Sequence, residues 1–281
     1  MDIDHSYGFG AALLDFFLPR RCTVCDVVLD PSETLLCENC WSDLPHTYSW
    51  LLRKNPMADR FNAQIQERLD EEWCMDLQSE ERLTDADATA EDLDACHGVE
   101  AVRTERYAYA AALFFYRTDS VYSRITRCIK YQGRLEVGRH FGRMLGDKLA
   151  GSCLFADVDA VVPVPLHWAR KWRRGYNQAE VIASGVADRL GVQMRSDILI
   201  RRRRTRTQTK LSIKEKRRNV SGAFAVHKQF RLEASPYRHI LIIDDVFTTG
   251  STLHACFSAL RTVFPPEVRI SVATLAFVGG T

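Results

Sequence analysis

ILIIDDVFTTGST, residues Ile240 to Thr252, decides how this chain is read. Ile240 to Ile243 are apolar without alternation, the pattern of a strand covered on both faces in a parallel sheet. Leu253, Cys256, Phe257 and Leu260 then recur at helical spacing, so the loop between joins a strand's carboxyl end to a helix start. Open α/β sheets bind ligands at that end. The N–H groups of Thr249 to Thr252 are expected to be first-turn donors without helical acceptors, and Gly250 lets the backbone approach an anion closely. Thr248, Thr249, Ser251 and Thr252 add hydroxyls to this cup. Asp244 and Asp245 are wrong for phosphate and right for sugar hydroxyls or magnesium, because ionised carboxylates only accept hydrogen bonds. A phosphate cup beside a carboxylate pair fits a ribose phosphate. A plain turn with a solvated acidic pair and a threonine cap is the bland alternative.

The acidic pair followed by TTGST resembles the phosphoribosyl-pyrophosphate motif of type I phosphoribosyltransferases. In those proteins a second strand-end loop holds the pyrophosphate, and Pro163, Val164 and Pro165 fall where that loop belongs. They open the run VVPVPLHWARKWRRGYNQAE, Val161 to Glu180, which is basic and aromatic. Arg170, Lys171, Arg173 and Arg174 offer counter-charges, Arg174 foremost, and Gly175 permits close backbone approach. Asn177 and Gln178 either reach the ligand or cap the next helix. Trp168 and Trp172 are expected to pack rather than to stack on a base.

At 281 residues the chain is long enough for a sizeable core and for about two units at roughly 150 residues each. Its formal charge of +2 conceals segregation: Asn62 to Glu100 holds 13 acids against 2 arginines, whereas Arg195 to Arg218 holds 11 bases against 2 acids. Local charge is therefore the better guide to partners. No membrane span is expected. Phe9 to Leu18 is apolar but short, interrupted by Asp15 and preceded by acids, so a cytoplasmic protein is expected.

Nine cysteines could suggest disulfides, but their spacing argues for metal. Cys22-x2-Cys25 and Cys37-x2-Cys40 make two knuckles, each presenting two thiolates to one tetrahedral zinc. Two disulfides or four free thiols are the alternatives. Little apolar sequence lies between Pro19 and Pro45, and structural zinc supplies roughly 10–16 kcal/mol in small peptides, enough to fold such a module. The carboxyl-terminal domain's core is expected to be independent of this module. The other cysteines read as ordinary buried or free thiols, with Cys96-His97 a weak second metal candidate.

These patterns divide the chain into a zinc-ribbon module at 1–61, an acidic insertion or linker at 62–106, and an α/β domain at 107–281. The insertion reads as partly disordered or as a polar helix with a weak Leu69, Trp73, Leu77 stripe. A strand is expected over Tyr109 to Tyr116, a helix face at Val121, Ile125, Cys128 and Ile129, and another at Phe141, Leu145 and Leu149. A short strand over Ala160 to Val164 and a helix from Asn177 to Leu190, closed by Gly191, complete an alternation that implies a mainly parallel twisted sheet flanked by helices.

The four-cysteine knuckle, PVPLHWARKWRRGYNQ and DDVFTTGST together resemble the ComF family, also called GntX-like, in family order; only Asn62 to Glu100 departs from its compact pattern. That resemblance implies a zinc ribbon followed by a type I phosphoribosyltransferase domain, associated with DNA uptake in natural transformation and related to glutamine-dependent amidophosphoribosyltransferases. It implies a site for magnesium phosphoribosyl pyrophosphate or a ribose 5-phosphate ligand. No nucleophilic cysteine follows Met1, so the glutamine-hydrolysing half is not expected, and turnover as a pentosyltransferase is left open. The basic run Arg201 to Phe224 is similar to the mobile catalytic loop of the amidotransferase relatives. Gln208, Arg217 and Arg218 are the residues read there as catalytic. Arg201, Arg202, Arg203 and Arg204 are read as contacts to nucleic-acid phosphates, and a solvated charged hairpin is the third reading. The competing function is a non-catalytic protein for single-stranded DNA, acting with DNA-uptake proteins and keeping the pocket as sensor or relic.

Overall fold

The computed structural model describes residues 19–84, 105–202, 222–231 and 236–279. A short helix α1 (Glu38–Ser42) closes the cysteine knuckles, and a long helix α2 (Pro56–Thr84) follows. Asn55 starts α2 by accepting hydrogen bonds from the N–H groups of Met57 and Ala58, with Pro56 in the first turn where no donor is needed. Then come β1 (Ala110–Phe115), α3 (Ser123–Tyr131), α4 (Leu135–Ala150), β2 (Ala160–Pro163), α5 (Trp168–Arg174) and α6 (Gln178–Leu190). Short strands β3 (Gln193–Met194), β4 (Leu199–Arg201) and β5 (Phe224–Val226) precede β6 (His239–Phe247), α7 (Ser251–Arg261) and β7 (Arg269–Phe277).

Five strands form one sheet in the order β1-β7-β6-β2-β3, every pair parallel, while β4 and β5 make a separate antiparallel pair. Residue alternation explains the unbroken apolar run of β6. Leu241 and Ile243 enter one core with α3, α4 and α6, through Ile129, Phe141 and Ile182. Ile240 and Ile242 enter another with α2, α7 and the β4–β5 pair, through Phe61, Phe257 and Phe224. β6 is longer than the apolar run: its pairing continues through Asp244, opposite Thr274, to Phe247. Backbone pairing with β7 outweighs the low strand preference of the two aspartates.

Four sequence expectations change. Zinc-ribbon residues Val24, Leu35, Leu36 and Trp50 share a single core with α3 and α4, so the carboxyl-terminal domain's core is not independent of the ribbon. The cause is too little apolar sequence in the ribbon to bury on its own. Val121 is exposed because α3 begins only at Ser123. Trp73 is exposed on α2 while Leu69 is partly buried, which reduces the weak stripe; nothing is described for the Leu77 side chain. Helix α2 also runs across position 61–62, where composition places a boundary, and buries Met57, Phe61 and Ile65 against the α/β core. Cys96 and His97 lie outside the described residues.

Candidate ribose-phosphate site and cysteine knuckle

The site lies at the carboxyl end of β6. Strand alternation sends the two carboxylates to opposite faces: Asp244 continues the Ile240, Ile242 side and Asp245 the Leu241, Ile243 side. Asp245 is only 5% exposed, and Lys130, from the last turn of α3, places Nζ 2.8 Å from its Oδ2. Burial alone would disfavour the ammonium, but Asp245 and then Asp244 hold Lys130 above the usual lysine range. Burial, then the like charge of Asp245, push the Asp244 carboxyl up to about 7. The N–H of Asp245, which donates to Asp244 Oδ1 at 2.9 Å, with Lys130 and Arg201, works in the opposite direction.

The loop after β6 is built by its neighbours. Gly250 adopts φ 81°, and a Cβ there would stand 2.6 Å from the Phe247 ring and 2.8 Å from Gln64 Nε2. Glycine is thus required by conformation and by space. Gln64 Nε2 donates to the Thr249 carbonyl at 2.7 Å, and Arg60 Nη1 donates to the Thr248 carbonyl at 3.1 Å. Helix α2 therefore anchors the cup from outside. Ser251 is buried with Oγ 3.0 Å from Thr249 Oγ1, while Thr248 is exposed and Thr252 half-buried. No side chain caps α7, so its first-turn N–H groups retain capacity for an anion.

At the end of β2 the frame uses more of the loop than its sequence suggests. Val164 donates its N–H to the Ile243 carbonyl at 2.9 Å, and its own carbonyl accepts from Asn177 Nδ2 at 3.0 Å. Both peptide groups of Val164 thus hold the loop in place, with Pro163 buried and Pro165 half-buried beside it. Asn177 also caps α6 by accepting from the N–H of Ala179, so its capping role is the one realised. Arg174 donates to Gln178 Oε1 and lies over the Tyr131 ring, 5.9 Å from its centroid.

The basic run splits. Arg201 is half-buried, its guanidinium 5.0 Å from the Phe224 ring centroid. Burial, then Arg170, lower its pKa, and Asp244 acts in the opposite direction. Arg201 is consequently placed electrostatically with the carboxylates, whereas Arg202 is exposed. Arg203, Arg204, Gln208, Arg217 and Arg218 lie outside the described residues. Sequence reasoning missed Lys130, Gln64 and Arg60. Gln64 and Arg60 precede their carbonyl partners by 185 and 188 positions, and no local pattern links them.

Cys22, Cys25, Cys37 and Cys40 bring their sulfurs within 4.8 Å of one another, and none is in a disulfide. Tetrahedral zinc with Zn–S bonds near 2.3 Å needs sulfurs about 3.8 Å apart; Cys25 and Cys37 stand at 3.6 Å. Burial opposes ionisation of Cys22, yet backbone bonds at Cys25, Cys37 and Val24 bring its thiol down to about 7. Arg21, Arg124, Arg127 and Arg134 line a cavity of about 320 Å³ beside Cys22. Such positive charge suits four thiolates around a dication. The residues present fit structural zinc.

Comparison with known proteins agrees with both parts. Residues 13–50 match a double zinc ribbon domain, and residues 177–278 match a phosphoribosyl transferase domain. Competence protein F of Haemophilus influenzae is 40% identical over 114 residues, covering 40% of this chain and 48% of that protein. DNA utilization protein YhgH of Escherichia coli strain K12 is 42% identical over 96 residues, covering 34% of this chain and 40% of that protein. The Salmonella typhi protein of the same name is 34% identical over 135 residues, covering 47% and 57%. The chain thus spans about half the length of the curated relatives it matches.

Proposed function

We propose, for a chain whose double zinc ribbon, phosphoribosyltransferase domain and relatives are those of the ComF family, that the carboxyl end of its sheet binds phosphoribosyl pyrophosphate or a ribose 5-phosphate ligand in the service of DNA uptake or use. The observation that carries this is the loop from Asp244 to Thr252. A carboxylate held near neutrality stands there beside a tight glycine turn and an uncapped helix start. Thr248 to Thr252 take the 5-phosphate through hydroxyls and N–H groups; Asp244 and Asp245 receive ribose hydroxyls. Magnesium rides on the ligand's phosphates and neutralises charge there. Pro163, Val164, Pro165 and Arg174 border the pyrophosphate end, and Gln208, Arg217 and Arg218 are the residues assigned to catalysis. If the reaction proceeds, an acceptor's lone pair forms a new bond to the anomeric carbon as the C–O bond to pyrophosphate breaks, and pyrophosphate leaves with that bond's electron pair. Fixed cations and N–H groups stabilise the charge that develops. Four cysteines grouped as zinc ligands, rather than spaced as a disulfide framework, favour work in a reducing compartment such as the cytoplasm.

Calorimetric titration of the full chain with phosphoribosyl pyrophosphate and magnesium tests this. Each charge-assisted hydrogen bond is worth about 1.5–3 kcal/mol, so Asp244→Ala and Asp245→Ala should each weaken binding roughly tenfold or more. Absence of binding to the unaltered chain, or affinity unchanged from it in both variants, overturns the assignment. A second reading, a non-catalytic protein for single-stranded DNA, is supported by the names of the relatives. It is separated by single-turnover assay for pyrophosphate release.

A further inference from the structure

Helix α5 (Trp168–Arg174) has the sequence WARKWRR, contains no acid and buries none of its residues. Trp168 is 72% exposed and Trp172 is 87% exposed, which corrects the expectation that they pack. At 3.6 residues per turn the two lie about 40° apart around the helix, on one side. Arg170 and Arg174 lie on the opposite side. Arg174 is half-buried against Gln178 and Tyr131, and Arg170 is close enough to Arg201 to act on its charge. The helix is therefore inverted: cations face the domain and two indoles face solvent. Indoles normally gain most from burial, so such a pair marks a surface with a partner.

We propose that the Trp168–Trp172 side of α5 is a stacking platform for the bases of single-stranded nucleic acid. Flat exposed rings accept any unpaired base, and neighbouring cations meet the phosphates. Arg173 is exposed and makes no hydrogen bond or ion pair among the described residues, so its charge is available. Lys171 is held by Glu180 at 3.0 Å and contributes less. Tyr131, 77% exposed, lies against Arg174 on the other side of α5 and is not part of the Trp168–Trp172 surface. Two rings on a seven-residue helix give too small an apolar face for a lipid surface, and the absence of any acid disfavours a basic partner. None of Trp168, Trp172 and Arg173 belongs to the basic run from Arg201 to Arg204. The proposal rests on the nucleic-acid side of the reading above and not on the ribose-phosphate pocket.

Fluorescence anisotropy with a labelled 20-nucleotide oligothymidylate tests it on the full chain. Trp168→Ala should weaken binding roughly tenfold, Trp172→Ala similarly, and Trp168→Tyr with Trp172→Tyr should retain most affinity. An oligonucleotide with abasic positions keeps the phosphates but loses the stacked bases; the alanine and native chains should bind it alike. Phosphoribosyl pyrophosphate titrated against the same variants should be unaffected, since no buried atom is removed. Unchanged oligothymidylate affinity in the double alanine variant overturns the platform. So does a native chain that binds no oligonucleotide, or a loss seen equally on the abasic strand. A variant that instead loses binding to anionic phosphatidylglycerol vesicles, with oligonucleotide affinity intact, assigns the surface to lipid and overturns it too.

Discussion

Asp244 titrates near neutrality because it is buried beside Asp245, and this gives two opposed pH effects. Its folded pKa is raised from 3.8 to about 7, so the stability it contributes is fully present below pH ~4 and is lost as pH rises through 7. Ribose hydroxyls need the ionised form, so ligand affinity should rise with pH by up to about tenfold per unit until 7 is passed. Asp244→Asn should flatten both profiles; calorimetry from pH 5.5 to 8.5 checks them together. His239 sets the acid limb. It bridges Asp157 at 2.6 Å and Ser271 at 2.8 Å, a geometry like a catalytic relay, but its ring and Ser271 are buried at the amino ends of β6 and β7. Burial lowers its pKa, so its contribution is present above ~6.5 and lost as pH falls below that. Gly250→Ala should cost about 1–3 kcal/mol from the left-handed backbone, more from the Phe247 clash, and should abolish phosphate binding. Urea unfolding with a parallel ligand titration reads both effects.

Elements meet closely where small residues let them. Helices α4 and α6 approach through Gly142 and Gly185: a Cβ on Gly142 would stand 2.3 Å from the Ile182 carbonyl oxygen, and one on Gly185 2.5 Å from that of Arg139. These are backbone atoms, so Gly142→Ala forces the helices apart. A loss of about 1–3 kcal/mol is expected in urea unfolding. A native-like midpoint would mean that the seam can widen without cost. Lys130 likewise joins α3 to β6. Lys130→Met leaves Asp245 buried without its partner and should lower stability by about 1–3 kcal/mol, less than for a fully buried pair because Lys130 keeps some solvent.

Across the whole molecule, the cysteine knuckle and the sheet share one core, from Val24 and Leu36 to Ile129 and Phe141. Ser49 and Thr47 extend the joint by hydrogen bonds to the Ala112 backbone. Loss of zinc should therefore propagate. Chelation, or Cys37→Ser, should lower the thermal midpoint of the whole described body in one cooperative transition, followed by near-ultraviolet circular dichroism and by tryptophan emission together. Two separate transitions, with the sheet's midpoint unmoved, would restore an independent ribbon. Metal analysis of chain purified without chelator should give one zinc per chain.

How much was legible in the sequence follows the range of the forces involved. The strand, turn and helix around Asp244 to Thr252 could be read directly because burial pattern, glycine conformation and helix start are all local. The two cysteine knuckles and the Asn177 cap were legible for the same reason. The composition of residues 62–84 left disorder and a polar helix both open, and the helix is the one formed; among its described side chains the apolar burial lies in the first turns. Lys130, Gln64 and Arg60 reach the site across distances no periodicity encodes, and the outward face of Trp168 and Trp172 depends on which side of α5 meets the domain. Sequence by itself determined the α/β order, the grouping of the four cysteines and the strand, glycine turn and helix around Asp244 to Thr252. Only tertiary structure decided the partner of Asp245, the neutral-range titration of Asp244 and the fusion of ribbon and sheet into one core, since each arises from burial between segments distant in the chain.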